Sequence, residues 1–256
     1  MTASRLPAVT VTRLEKAAAD NGFDHELERE GNWLRFGSSH APLEVWLTAS
    51  DEGHPLAGLS RVDVARALEG HGELVTVTMP TGAQAVRRVM DVAGLHRLLR
   101  RAYQFARALP DELLHAFEKK THLLPRSTEA ERLLVQRVGQ DLFRAGLLEY
   151  WAGRCAISGL AVPELLRASH IKPWADCDTD AERLDVYNGL LLAPHLDAVF
   201  DRGFIGVEDD GAVMVSPLLP LEARQTLGIA APLRVTSLDE RHRVYLPWHR
   251  AKVFKQ

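Results

Sequence analysis

The feature that most constrains this chain is a set of polar residues at the junctions of an apolar strand–strand–helix pattern. The run ASHIKP puts His170 at the end of a hydrophobic strand. Asn188 follows eighteen residues later and opens a second apolar strand. Pro194 suits the first position of a helix, so His195 and Asp197 begin that helix. The pattern predicts two short strands and a helix that carry these polar side chains.

The residue types at these positions suit metal-assisted hydrolysis. A neutral imidazole with a pKa near about 6.5 can take a proton from water at physiological pH, which makes His170 the candidate general base. The carboxylate of Asp197 is a hard oxygen ligand that suits Mg²⁺ or Mn²⁺. His195 points about 200° away from Asp197 around a regular helix, so we expect a second-rank metal ligand or a phosphate contact there.

The segments ASHIKPW and DVYNGLLLAPHLDAVFDRGFI resemble the HNH, or ββα-metal, endonucleases, in particular the branch found in bacterial restriction-type proteins. The resemblance covers residues 154–216 and implies metal-dependent cleavage of double-stranded DNA. It implies that His170 and Asn188 are the catalytic pair, with the asparagine amide pinning the loop so that the histidine keeps its angle. It also implies Asp197 as the helix-borne metal ligand, with Mg²⁺ as the favoured ion and Mn²⁺ as the alternative.

Two departures from the family pattern affect the expected metal chemistry. Many HNH enzymes carry aspartate directly before the catalytic histidine, whereas this chain has Ser169, so metal binding would rely on Asp197, water and the substrate phosphate. Many HNH domains also hold a structural zinc with two Cys-x-x-Cys pairs. Here Ser158 stands three residues after Cys155, where a Cys-x-x-Cys pair would have its second cysteine. No cysteine pair lies near Asn188 either, so we expect no structural zinc.

We predict an α+β fold with two domains: an N-terminal α+β domain, residues 1–118, and an HNH domain, residues 119–256, with its core at 154–216. A capping box at Thr128 and Glu131 predicts a long helix to about residue 151 that precedes the nuclease core. The N-terminal domain contains no motif with recognisable chemistry, so we assign it to recognition or regulation. Its predicted helices are residues 11–21, 61–68 (capped by Ser60), 95–108 and 110–120, and its predicted strands are 23–28, 33–37, 43–48, 73–79 and 83–89.

The net charge of −3 does not by itself indicate nucleic-acid binding, but the basic residues are unevenly distributed. Residues 86–107 hold six arginines and one acidic residue, Asp91, and such a basic stripe matters more for phosphate binding than the total charge. The arginines of this stripe are Arg87, Arg88, Arg97, Arg100, Arg101 and Arg107. The expected DNA contacts are Lys172, Arg97, Arg100, Arg101, Arg202, His249 and Arg250.

The expected location is the cytoplasm and the expected role is restriction or phage defence. No apolar run approaches the roughly 20 residues that span a bilayer, and the first residues lack a signal-peptide pattern. Two alternatives remain open, a catalytically inactive HNH fold that binds DNA or regulates, and a toxin-like DNase without sequence specificity. A single HNH module cuts one strand, so double-strand cleavage would need a homodimer or two successive nicks.

Overall fold

The computed structural model describes residues 6–125, 127–229 and 232–256. The chain divides into two compact units, Met1–Arg107 and Ala108–Gln256. This division lies before the boundary at 118/119 that we placed from the sequence. Helix α4 (Pro110–Thr121) crosses the predicted boundary at 118/119. It packs against two helices of the second unit, α5 (Glu129–Tyr150) and α6 (Asp180–Leu184). Each unit mixes helices and strands, so the α+β class is confirmed.

The first unit is built on a six-stranded antiparallel sheet with the strand order β1-β2-β3-β4-β6-β5. Helix α1 packs against β2 and β3 through its buried apolar side, and α2 packs against β4. The elements of this unit are α1 (Ala8–Asp20), β1 (His25–Glu30), β2 (Trp33–Gly37), β3 (Val45–Ala49), β4 (Pro55–Leu59), α2 (Val62–Ala67), β5 (Glu73–Leu74), β6 (Ala85–Arg88) and α3 (Val92–Ala108).

Three details of this unit differ from the sequence predictions. Strand β4 was not predicted, because all five of its residues are buried and the segment therefore shows no apolar–polar alternation. The strand predicted at 73–79 extends only over Glu73–Leu74, with one further backbone hydrogen bond from the Val75 amide to the Val86 carbonyl at 3.0 Å. Ser60 does not cap α2; its hydroxyl accepts a hydrogen bond from the Glu44 amide at 2.9 Å instead.

The second unit contains two β-hairpins and six helices among its described residues, besides short 3₁₀ turns. In the first hairpin, β7 pairs antiparallel with β8 so that His170 lies opposite Gly189. In the second, β9 pairs with β10. The elements that follow α4 are α5, β7 (Arg167–His170), α6, β8 (Gly189–Leu192), α7 (Pro194–Asp201), β9 (Ile205–Val207), β10 (Val213–Val215), α8 (Leu221–Thr226) and α9 (Leu246–Lys252).

Helix α5 is the support on which the first hairpin rests. The predicted capping box is confirmed, since the Glu131 amide donates to the Thr128 hydroxyl at 3.2 Å and the Thr128 amide donates to the Glu131 carboxylate at 2.9 Å. Phe143 of this helix is buried where β8 begins. A side chain at Gly189 would place its Cβ 2.5 Å from the Phe143 ring, so glycine is required for the hairpin to approach α5 this closely.

None of the described helices is both long and apolar enough to cross a membrane.

Candidate active site

His170 ends strand β7 and is enclosed on three sides by elements of the second unit. Its ring stacks on Phe143 of α5, with centroids 3.8 Å apart and planes 15° apart. Trp174, in the turn after β7, meets the ring edge-on at a centroid distance of 5.8 Å. On the third side, the Nε2 atom lies 2.9 Å from the main-chain oxygen of Arg183 at the end of α6. The orientation of the imidazole is therefore set by a ring stack and a hydrogen bond together.

The contact with Arg183 also decides which ring nitrogen carries the proton. A carbonyl oxygen can only accept, so the neutral ring donates from Nε2–H and Nδ1 keeps its lone pair. No hydrogen bond from the described residues occupies Nδ1. Burial lowers the pKa of His170 below its ordinary value, and the Arg183 carbonyl offsets part of that effect. The residue is thus a neutral imidazole at neutral pH with one unoccupied acceptor nitrogen.

Asn188 is fully buried, and its side-chain amide hydrogen bonds to the loop that follows His170. Its Oδ1 accepts from the Lys172 amide at 2.8 Å, and its Nδ2 donates to the carbonyls of Lys172 and Glu182, each at 3.1 Å. The Nδ2 atom also lies 3.3 Å from the sulfur of Cys177. The amide therefore joins the end of β7, the loop and α6 to the start of β8, as expected for a residue that pins this loop.

Ser169 and Asp197 meet on the other side of the hairpin. The buried hydroxyl of Ser169 donates a hydrogen bond to Oδ1 of Asp197 in the first turn of α7. Asp201 lies one turn later on the same helix, and its pKa rises to about 6 because of burial and the neighbouring charge of Asp197. The carboxylates of Asp197 and Asp201 give this end of the site a negative charge.

The oxygen donors at this end fit a weakly held divalent cation. Asp197 offers its second carboxylate oxygen and Ser169 a hydroxyl, which are the hard ligands that Mg²⁺ and Mn²⁺ accept. Within the described residues, no group of three or more histidine, cysteine or acidic side chains is arranged to hold a metal. His195 is exposed on α7. A cation here would need water and phosphate oxygens to complete its coordination, as Mg²⁺ sites often do.

The two cysteines are buried thiols with polar neighbours. The sulfur of Cys155 lies 3.3 Å from the amide nitrogens of Ser158 and Ala193, two backbone donors that approach it from different loops. The thiol of Cys177 donates to the Lys172 carbonyl at 3.4 Å, and its pKa is raised by burial. The thiols thus contribute to the packing of the loops around the hairpin.

Three of the residues expected to contact DNA already have partners within the protein. Lys172 is largely buried and lies 2.9 Å from both Asp178 and Glu182, so its charge is neutralised within the loop. His249 is 2% exposed, stacks on Phe200 at a centroid distance of 4.0 Å and hydrogen bonds to the Phe200 carbonyl. Arg250 is paired with Asp209 at 2.8 Å and donates to the Val207 carbonyl.

Some of the basic-stripe arginines of the first unit are exposed, and others are engaged in contacts within the protein. Arg97 and Arg100 are exposed on α3. Arg101 is partly buried, lies over the Phe105 ring at 4.2 Å and donates to Gln104. Arg87, counted in the basic stripe, is buried and donates to the carbonyls of Gly72 and Ala65. In the second unit Arg202 is exposed at the end of α7.

Sequence reasoning did not identify the residues that surround His170. Phe143 belongs to no motif, and Trp174 appeared only as the last residue of the segment ASHIKPW. Arg183 was not singled out at all, although its carbonyl receives the histidine ring. No periodicity or motif indicates these contacts, because they join segments that are separated along the chain and meet only in the folded unit.

Comparison with known families agrees with this geometry. Residues 155–208 match the family model HNH_2, described as HNH endonuclease. The match begins at Cys155 and includes the β7–β8 hairpin, α7 and β9. No curated protein matches the chain.

Proposed function

We propose that this protein is a metal-dependent endonuclease that hydrolyses phosphodiester bonds of double-stranded DNA, a proposal supported by the match of residues 155–208 to the HNH endonuclease family model. The observation that carries the proposal is the state of His170, whose Nε2 is bound to the Arg183 carbonyl while Nδ1 has no partner in the described part of the chain. A general base needs this combination of a fixed ring and a free acceptor nitrogen.

In the proposed reaction, Nδ1 of His170 takes a proton from the water that attacks the phosphorus. The lowered pKa of this histidine keeps the ring neutral, and therefore able to accept that proton, at physiological pH. Asn188 acts indirectly, since its amide holds the Lys172 main chain on both its N–H and its C=O. Loss of this pin would let the segment after β7 move and would misdirect the base.

Asp197 and Ser169 are the residues that we propose to hold the divalent cation, with Mg²⁺ favoured and Mn²⁺ as the alternative. When bound, such a cation neutralises charge on the phosphate and on the leaving 3′-oxygen. The hydrogen bond from Ser169 fixes one oxygen of Asp197 and thereby orients the other. We rank His195 second, as a ligand or a phosphate contact, because it is exposed and fixed by no neighbour among the described residues.

Among the residues that we propose to contact DNA, we favour the exposed arginines over Lys172, Arg101, His249 and Arg250, which already have partners within the protein. Arg97 and Arg100 on α3, and Arg202 after α7, present charge to solvent where phosphates can approach. Contacts of this kind position a duplex but carry no sequence information. We therefore assign any recognition of sequence or base modification to the N-terminal domain. The arginines of the basic stripe would only position the duplex.

A role in restriction or phage defence, exercised in the cytoplasm, is the setting that we propose on the resemblance to restriction-type HNH proteins. The inactive-fold alternative is disfavoured by the free Nδ1 of His170, since a module that only binds DNA does not need one. The toxin-like alternative predicts cleavage of every duplex alike. Comparing modified and unmodified phage DNA separates it from a restriction role.

A plasmid assay tests the proposal. Supercoiled DNA is incubated with the protein and Mg²⁺, Mn²⁺ or EDTA, and nicked and linear products are separated. Metal-dependent nicking is the expected result, and linear product without a nicked intermediate would indicate that two copies act together. Absence of cleavage on modified and unmodified DNA with either metal would contradict the proposed activity.

A further inference from the structure

The carbonyl end of α6 receives both residues of the proposed catalytic pair. The helix has only five residues, so its last carbonyl oxygens have no partner inside the helix. The oxygen of Glu182 accepts from Nδ2 of Asn188 at 3.1 Å, and that of Arg183 accepts from Nε2 of His170 at 2.9 Å. The angle of the His170 ring therefore depends on where this short helix ends.

The side chain of Arg183 fixes that position from three directions. Its Nε donates to the Trp174 carbonyl at 3.2 Å, its Nη1 is paired with Asp180 at 3.0 Å, and its Nη2 donates to the Cys177 carbonyl. The first and third contacts reach back into the segment between β7 and α6, and the second lies within α6. One guanidinium thus closes the loop that joins the proposed base to its hydrogen-bond acceptor.

The same guanidinium also supports the second neighbour of the histidine. It lies over the Trp174 ring at 5.9 Å from the centroid, and that ring meets His170 edge-on. Arg183 therefore acts on the imidazole twice, through its own main-chain oxygen and through the indole that it holds. Phe143, which stacks on the imidazole, belongs to α5 and lies outside this loop.

We infer that Arg183 is a positioning residue for the proposed reaction, which holds the His170 ring with Nε2 protonated and Nδ1 aimed at the substrate. This inference rests on the proposed nuclease function. The three acceptors require the fixed planar fork of arginine, and a lysine ammonium, as a single point charge on a flexible stem, cannot reach them together. A role that depended only on positive charge would be satisfied by lysine.

The test compares Arg183→Lys and Arg183→Ala with a matched control, Arg224→Ala. Arg224 also donates to two loop carbonyls, those of Leu219 and Ser216, but outside the proposed site. Misplacing a catalytic group by about 1 Å can cost on the order of 100-fold in rate. We expect both Arg183 variants to lose about 10- to 100-fold in kcat with KM for DNA unchanged, and Arg224→Ala to keep its kcat.

A second readout makes the inference independent of the nuclease assay. Nitrogen-15 NMR of the His170 ring reports which nitrogen is protonated; we expect protonation at Nε2 in the wild type and a mixture in Arg183→Lys. If the wild type cuts no DNA, the proposed function fails while this spectrum still decides the role of Arg183. An unchanged spectrum with an unchanged kcat in folded Arg183→Lys would overturn the inference, as would a raised KM at normal kcat.

Discussion

The hydroxyl of Ser169 donates a hydrogen bond to a carboxylate oxygen of Asp197, and this contact joins the end of β7 to the first turn of α7. The position before the histidine is thus occupied by a residue that orients the carboxylate instead of adding a second one. With serine at position 169, this site has one carboxylate fewer than a site with aspartate before the histidine. We expect it to bind a cation weakly in the free protein and more tightly when DNA supplies phosphate oxygens.

The first prediction concerns Asp197. In an inactive His170→Ala background that leaves DNA intact, Asp197→Asn should lower Mn²⁺ affinity of the protein–DNA complex by more than about tenfold, because the amide lacks the charge that holds the cation. Calorimetric titration with Mn²⁺ measures this directly. His195→Gln is the matched control, and its affinity should change little if His195 is not a primary ligand. Equal losses in both variants would make His195 a ligand of the same rank.

The pH dependence of cleavage follows from the state of His170. Only the neutral ring can act as a base, so the rate should rise with pH as the ring loses its proton. Since burial lowers the pKa of His170 below 6.5, the acid limb of the rate profile should lie below that of an exposed histidine. Single-turnover rates across pH, with metal kept saturating, give the midpoint of this limb. A midpoint above 6.5 would contradict the assigned environment.

The salt dependence of binding tests the basic surface of the first unit. Replacing Arg97 and Arg100 with alanine should weaken duplex binding and flatten the slope of log K against log salt by about two, if each contacts one phosphate. Arg29→Ala is the control, since Arg29 is exposed in the same unit but is already paired with Glu15 and Glu26. An unchanged slope in the double variant would remove α3 from the interface.

Acid stability should depend on two buried histidines near the C-terminal end. Burial lowers the pKa of His242 and of His249 to about 4 each, from an ordinary value of 6.5. As pH falls from about 6.5 to about 4, the unfolded chain binds protons that the folded chain excludes, so each histidine costs up to about 3 kcal/mol of stability. Urea unfolding at several pH values should show this loss, and His249→Gln should reduce it. An equal loss of stability in the wild type and in His249→Gln would contradict this account of His249.

Local patterns predicted much of the fold, because they depend on residues close together in sequence. The capping box at Thr128, the helix after it and the apolar strand after Asn188 are all local signals, and the structure contains each of them. Strand β4 was missed because it is buried on both faces and has no alternation to read. The spacing of His170, Asn188 and Asp197 along the chain is also a local feature of the sequence.

The partners of individual side chains could not be predicted from local patterns. Lys172, His249 and Arg250 were expected to contact DNA. Their partners, Glu182, Phe200 and Asp209, are each brought to them by folding. For the same reason Arg183 gave no signal, since its three acceptors lie on a loop whose path is set only in three dimensions.

The most direct test of the central claim compares wild type with His170→Ala in two measurements on the same duplex. Binding is measured in EDTA and single-turnover cleavage in Mg²⁺. We predict that the variant binds with nearly the wild-type Kd and loses about 100-fold or more in cleavage rate, because the base acts on water and not on affinity. Cleavage by His170→Ala at the wild-type rate would contradict the assignment of His170 as the general base.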